Sequence, residues 1–197
     1  MTANRRTILK TAAALTASTW TGRIGATQGT TKKGLPMALS ERHHLIETRI
    51  AALGIELGNS KPGGAYSAVV EHGGLVQVSG MVPSLDGKVI HVGRVGAEVT
   101  LEEAQHAAQI STLRCLSALR EQLGDLGRIR RVTKMTVYIQ SAPGFLQLSE
   151  VSNGASETLN SVLAPIGQHA RTSVGVFTLP RNAVLELDMT VAVDGPL

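Results

Sequence analysis

The chain has 197 residues, enough for one domain with a substantial core but short of two. Hydrophobic residues make up 43% and aromatic residues only 3%, so the core must be built from Ala, Val, Leu and Ile, and stacking platforms for single-stranded nucleic acid are scarce. The formal charge of +4 belongs to the N-terminus: no Asp or Glu precedes Glu41, whereas Arg5, Arg6, Lys10, Arg23, Lys32 and Lys33 do, and beyond them thirteen basic residues face fifteen acidic ones, a near-neutral balance that gives no argument for a nucleic-acid partner.

The first residues read as an address. Asn4-Arg5-Arg6-Thr7-Ile8-Leu9-Lys10 is followed by the weakly apolar stretch from Thr11 to Thr19 and by small residues ending near Gly25-Ala26-Thr27. That is the layout of a secretion signal. The paired arginines with Ile8-Leu9-Lys10 behind them resemble the bacterial twin-arginine signal, which implies the twin-arginine translocase as a partner during export and a periplasmic or secreted location. Residues 1–33 are therefore expected to be signal and linker, and residues 34–197 a single domain. No apolar run is long enough to span a bilayer.

In chain order, Ser40 is expected to cap a helix running to about Leu53, with Leu45, Ile46, Ile50 and Leu53 as its apolar stripe. Ala65–Val70 and Leu75–Ser79 are strand-like, with Gly73-Gly74 as the turn between them. Residues 83–99 are rich in turns around Asp86-Gly87. Thr100-x-x-Glu103 is a capping box that opens the longest helix, Leu101 to Leu123, closed by Gly124. Cys115, the single cysteine, lies in that apolar stretch and reads as a buried thiol; it excludes an internal disulfide and a multi-cysteine metal site. Val132–Ile139 alternates as a strand, Ala142-Pro143-Gly144 breaks it, and a further helix runs from about Leu148 to Leu163. Two strands, Ala170–Phe177 and Val184–Val193, finish the chain. The order argues an α+β domain with helices packed on one face of a mixed sheet.

The last two strands carry the candidate chemistry. Arg171, Ser173 and Gly175 share one face of the first; Glu186, Asp188 and Thr190 share one face of the second. If Thr178–Arg181 is a hairpin loop, Arg171 pairs opposite Asp188 and Ser173 opposite Glu186. An arginine on a strand is a rigid fork for a planar carboxylate, and a carboxylate beside it can position and deprotonate a water. An ion pair with no ligand is the structural alternative. His43-His44 has no shared helix face for a metal, His91 and His106 lack a partner at ligand spacing, and His169 falls near Arg171. No metal site or phosphate loop is expected. The basic cluster Arg128, Arg130, Arg131 and Lys134 reads as a solvated strand entry.

Gly64-Ala65-Tyr66, Val78-Ser79-Gly80-Met81-Val82-Pro83, Ser152-Asn153-Gly154-Ala155, Ala170-Arg171-Thr172-Ser173-Val174-Gly175-Val176 and Leu179-Pro180 through Leu185-Glu186-Leu187-Asp188 together resemble the RidA/YjgF family, in order across nearly all of the chain beyond the signal. The resemblance implies a chorismate-mutase-like α+β fold, assembled as a homotrimer with ligand sites in clefts between subunits. It implies hydrolysis of small 2-imino or enamino acids to 2-oxo acids and ammonia with no cofactor. On this carry-over Arg171 grips the substrate carboxylate and Asp188 stands where a glutamate is associated with the attacking water. Tyr66, Ser79, Gly80, Asn153 and Ser173 line the pocket. Asp188 is one methylene shorter than glutamate, the stretch Ser84–Val99 is longer than in compact members, and Gly175 replaces a residue that is often acidic. A non-catalytic trimer that binds small carboxylates is the alternative, and ribonuclease activity, ascribed to relatives, is opposed by the low aromatic content and near-neutral charge.

Export generates the first test. Residues 1–33 fused to a folded reporter should carry it across the membrane only with Arg5 and Arg6 intact; equal export of the Arg5→Lys, Arg6→Lys fusion would refute the twin-arginine reading.

Overall fold

The computed structural model describes residues 37–56, 58 and 61–195, so the signal assigned above to residues 1–33 lies outside the described residues. Helix α1 covers Leu39–Ala51. Strands β1 (Val69–His72) and β2 (Leu75–Met81) form a hairpin, and the short pair β3 (Ser84–Leu85) and β4 (Lys88–Val89) follows. Helix α2 (Leu101–Leu123), strand β5 (Ile129–Gln140), helix α3 (Leu148–Val162) and strands β6 (Ala170–Val176) and β7 (Leu185–Val193) complete the domain. The main sheet has the order β1-β2-β7-β5-β6; β6 runs parallel to β5, and every other pairing is antiparallel. It is the expected α+β architecture with a mixed sheet.

Strand alternation decides what the sheet buries. Leu185, Leu187, Met189, Val191 and Val193 on β7, and Met135, Val137 and Ile139 on β5, turn to α2 and α3 and are buried. The alternate residues Glu186, Asp188 and Thr190, with Thr136 and Tyr138, lie on the opposite, half-buried face. Within α2, Cys115 is fully buried, its Sγ against the Leu187 carbonyl at 3.8 Å. Burial pushes its pKa far up. No helix among the described residues is long and apolar enough to cross a membrane.

Local signals account for most element ends. The Thr100 hydroxyl accepts the Glu103 N–H at 3.2 Å, the Glu103 carboxylate accepts the Thr100 N–H at 2.9 Å, and Gly124 closes α2 at φ 70°. Helix α1 differs from expectation. It begins ahead of Ser40, because the Glu41 carboxylate reaches back to the Ala38 N–H at 3.2 Å. Residues 65–68 are not strand: the bend at Pro62-Gly63-Gly64 continues through a Tyr66 N–H to Gly64 carbonyl bond of 2.9 Å. Strand β5 begins three residues before Val132, since irregularities in its ladder with β7, between Ile129 and Arg131 and between Val132 and Lys134, interrupt the alternation there.

The largest departure concerns the last two strands. They do not form a hairpin; β5 lies between them. Arg171 pairs with Met135 on the helix side, whereas Asp188 pairs with Thr136 on the open side. The expected neighbours Arg171 and Asp188 therefore occupy opposite faces of the sheet, and Ser173 is likewise remote from Glu186. The cause is the connection 177–184. Arg181 and Asn182 both adopt left-handed φ (57° and 56°), and the connection crosses the end of β5 instead of turning back on β6. The buried Gln140 side chain holds the crossing: its Oε1 accepts the Leu179 N–H at 3.0 Å and its Nε2 donates to Asn182 Oδ1 at 2.6 Å.

Helix α3 packs on α2 at a point where no side chain fits. A Cβ on Gly154 would stand 2.2 Å from the Gln105 carbonyl oxygen, and the Gln105 Nε2 donates to the Glu150 carbonyl at 2.9 Å in the same contact. Gly→Ala inside a helix ordinarily gains about 1 kcal/mol. Gly154→Ala should instead lower stability by about 1–3 kcal/mol, because backbone must move to admit the methyl; the midpoint of a denaturant titration reads the sign.

Candidate active site

Two groups of polar residues stand on different parts of the domain. The first surrounds Arg171 at the edge strand β6. Its guanidinium is half-buried beneath α3, where Nη1 donates to Asn153 Oδ1 at 3.0 Å and to Ser156 Oγ at 2.8 Å. Nη2 donates to the Ser149 carbonyl at 3.2 Å and hydroxyl at 2.8 Å, both exposed contacts. Ser173 sits beside them, its hydroxyl donating to Ser152 Oγ at 2.7 Å. Every partner of Arg171 is neutral, and no carboxylate among the described residues lies within ion-pair distance of it. A strand-borne fork held by neutral acceptors keeps its full charge for an anion, and the exposed Ser149 bonds are the ones a carboxylate would replace.

His169 belongs to this group. Its Nδ1 lies 2.7 Å from the Gly167 carbonyl, which only accepts, so Nδ1 carries the proton and Nε2 is left as an acceptor. The Ser156 hydroxyl, 3.1 Å away, donates to Nε2, while its oxygen accepts from Arg171. The imidazole thus orients the serine that orients the arginine. Sequence reasoning singled out Arg171, Asn153 and Ser173, and placed His169 nearby; it missed Ser149 and Ser156. The signal was a polar stripe on α3, Ser149, Ser152, Asn153 and Ser156, between the apolar Val151, Ala155 and Leu159.

The second group lines a cleft of about 850 Å³ that includes Tyr66, Gly80, Val82, Ser84, Arg114 and Glu186. Gly80 lies within the register shift between Val78 and Met81 of β2, and a Cβ there would come within 2.0 Å of Glu186 Oε1. The missing side chain is what lets the Glu186 carboxylate lie against the β2 backbone. Burial raises the pKa of Glu186, and the neighbouring Asp188 charge raises it further. Ser79 uses its hydroxyl on the Ser67 carbonyl at 2.7 Å, which fastens the segment carrying the exposed Tyr66. Asp188 does not line the cleft; it accepts a 3.0 Å hydrogen bond from the Tyr138 hydroxyl on the open sheet face. Of the cleft's two carboxylates, Asp86 and Glu186, Glu186 shares a strand face with Asp188 and was distinguishable from it only through the glycine on the neighbouring strand.

The remaining candidates separate cleanly. His91 and His106, read as isolated, meet at 3.0 Å, Nε2 to Nδ1. Among the described residues no group of three or more His, Cys, Asp or Glu is arranged to hold a metal ion. Of the basic cluster, Arg128 Nε donates to the Asp194 carbonyl at 3.1 Å and Arg130 pairs with the Asp194 carboxylate at 3.2 Å, tying strand β5 to the end of β7.

Residues 47–191 match the model of a family described as YjgF/chorismate mutase-like and, provisionally, as endoribonuclease. The chain belongs to the YjgF/RidA family. Protein TCP17 of Trypanosoma cruzi is 38% identical over 148 residues, which cover 74% of this chain and 92% of TCP17. A crystal structure of a protein of unknown function from Agrobacterium tumefaciens is 37% identical, covers 80% of this chain and 98% of its own, and superposes with a TM-score of 0.75. More distantly, Escherichia coli TdcF, crystallised with bound serine, shares the fold at 22% identity and a TM-score of 0.51, over 71% of this chain and 96% of TdcF.

The hydrogen-bond chain from Gly167 to Arg171 makes a prediction of tautomer. Nitrogen NMR of neutral His169 should show a protonated Nδ1 and a bare Nε2, and Ser156→Ala should move the Nε2 resonance; a protonated Nε2 would overturn the assignment.

Proposed function

We propose that this YjgF/RidA protein hydrolyses small 2-imino or enamino acids to 2-oxo acids and ammonia, without a cofactor, at a site completed between copies of the chain. The observation that carries the reading is the separation of the two groups. Arg171 offers an uncompensated cation at the open edge strand, Glu186 offers a carboxylate of raised pKa in a cleft two strands away, and the two lie on opposite faces of one sheet. Within one chain they cannot act on one small molecule, whereas a second copy that places its β6 edge against the cleft unites them. The unpaired β6 edge, with Val174 and the 81% exposed Phe177 beside it, is a surface that calls for such a partner. A homotrimer is the proposed assembly, as the family resemblance implies. The serine in TdcF supports the ligand class, because it too presents an α-carboxylate.

In the proposed reaction Arg171 binds the substrate carboxylate as a bidentate pair, held in place by Asn153 and Ser156. Glu186 accepts a proton from a water molecule as its oxygen adds to the C=N carbon, giving a carbinolamine. That proton passes to the nitrogen; Glu186 then takes the hydroxyl proton of the carbinolamine as the carbonyl of the 2-oxo acid forms and delivers it to the nitrogen, so that the C–N bond breaks and ammonia leaves. A carboxylate that both takes and returns a proton near neutrality needs a raised pKa, and burial supplies it. Asp188 acts here through Glu186, as the like charge that keeps its proton affinity high. Tyr66 and Gly80 line the pocket around the reacting carbon, and Ser79 fastens the segment that carries Tyr66. The location outside the cytoplasm proposed for the mature protein rests on residues 1–33 alone.

The test is ammonia release from imines generated by oxidising an amino acid. Arg171→Lys should lose at least roughly tenfold in kcat/KM, about 1.4 kcal/mol of transition-state stabilisation, since a point charge does not copy the fork. Activity should fall as pH drops through the raised Glu186 pKa, and Asp188→Asn should move that acidic limb to lower pH. Arg171→Ala and Glu186→Gln should each be inactive alone, yet regain activity when mixed and allowed to exchange subunits. Failure of every mixture to exceed the separate variants, although mixed oligomers form, would refute a shared site. Equal ammonia release by wild type and Arg171→Ala would leave a carboxylate-binding module.

A further inference from the structure

The cleft that holds Glu186 also holds three cations that the reaction above does not use, Lys61, Arg114 and Arg181. Arg114 projects from the middle of α2, and Arg181 from the crossing between β6 and β7; both line the cleft, with Ser84, Asp86 and Gly87 of the β3–β4 segment between them. The Nε of Arg114 is buried and has no hydrogen-bond partner, and its Nη1 makes one long contact, 3.4 Å to the Ser84 carbonyl. Arg181 Nη1 reaches the Gly87 carbonyl at 3.4 Å, equally long. No carboxylate among the described residues lies within ion-pair distance of either guanidinium, and the undescribed positions contain no Asp or Glu.

Two like charges in one cleft, one of them half-buried with a donor unmet, are a costly arrangement unless an anion joins them. Burial does most to lower the Arg114 pKa from its ordinary value, the Arg181 cation lowers it further, and the Glu121 carboxylate offsets part of this. Two carboxylates also line the cleft, Glu186, whose pKa is raised by burial and by Asp188, and Asp86; neither makes an ion pair with Arg114 or Arg181. Glu186 lies against Gly80, while Arg114 and Arg181 reach the β3–β4 segment, where Asp86 is the carboxylate that lines the cleft.

We infer that the substrate carries a second anionic group on its side chain, received by Arg114 and Arg181, so that the preferred ligands are imino or enamino diacids. This rests on the deaminase reading for its chemistry but not for its binding. The α-carboxylate belongs to Arg171 and the reacting carbon to Glu186; the second anion, a carboxylate or a phosphate, is the group the two remaining arginines fit as forks.

Binding by calorimetry to the assembled mature protein tests this, with 2-oxobutyrate, 2-oxoglutarate and 3-phosphoglycerate as probes. At least one of the two dianions should bind tenfold or more tightly than 2-oxobutyrate, and the tighter of them identifies the second group as carboxylate or phosphate. Arg181→Gln, on an exposed loop, and Arg114→Gln should each shrink that preference to less than about threefold. Ammonia release from the imine of glutamate should likewise exceed that from the imine of 2-aminobutyrate in kcat/KM, and Arg181→Gln should narrow the gap by raising KM more than it lowers kcat. Equal binding of mono- and dianions, with ammonia release intact, overturns the diacid inference and leaves the deaminase. A dianion preference that depends on both arginines, with no ammonia release from either imine, supports the subsite and overturns the deaminase instead.

Discussion

The buried amide of Gln140 decides what this domain can do. At the end of β5 it takes the Leu179 N–H with its oxygen and gives its N–H to Asn182, and so directs the chain across the strand end between β6 and β7. Because of that crossing β6 joins the far side of β5 as a parallel edge strand, and β7 returns to the middle of the sheet. Arg171 is carried to the helix side at one margin, and Glu186 to the other face on the central strand. An amide with both ends satisfied in an otherwise apolar region specifies one topology, since a hairpin between β6 and β7 would leave those groups unpaired.

Much of the fold was legible because its signals are local. The reciprocal Thr100–Glu103 bonds and the left-handed Gly124 mark both ends of α2, and the alternation from Leu185 to Val193 marks the buried and open faces of β7. The neighbour of each strand was not legible in the same way. Alternation fixes the face of Asp188 relative to Glu186, but says nothing about which strand lies alongside, so a plausible hairpin stood in for a crossover. The site divides on the same line. Arg171, Asn153 and Ser173 meet as the motifs suggested, because all three lie on or beside one strand–helix contact. Glu186 became distinguishable from Asp188 only with Gly80 placed across from it, a contact between residues more than a hundred positions apart.

Small side chains carry an unusual share of the site. Gly154 lets α3 approach α2 closely enough to hold Asn153 and Ser156 over Arg171, and Gly80 makes room for a carboxylate against the β2 backbone. The serines of α3 add short, rigid acceptors at successive turns, so the guanidinium is oriented without a carboxylate that would cancel its charge. In both places a side chain in place of the glycine would clash, with the Gln105 carbonyl at Gly154 and with the Glu186 carboxylate at Gly80. The low aromatic content and the many small residues thus belong to the design of the site as well as of the core.

Cys115 gives the fold a built-in clock. Its sulfur is fully enclosed between α2 and β7, with burial holding it in the thiol form. An oxidant or an alkylating reagent therefore meets a reactive thiolate only when the helix lifts from the sheet, and the rate at which the single thiol is consumed counts those openings. In an oxidising compartment the same arrangement keeps neighbouring molecules from cross-linking for as long as they stay folded, and makes the first excursion to the open state the moment at which a chain can be covalently lost.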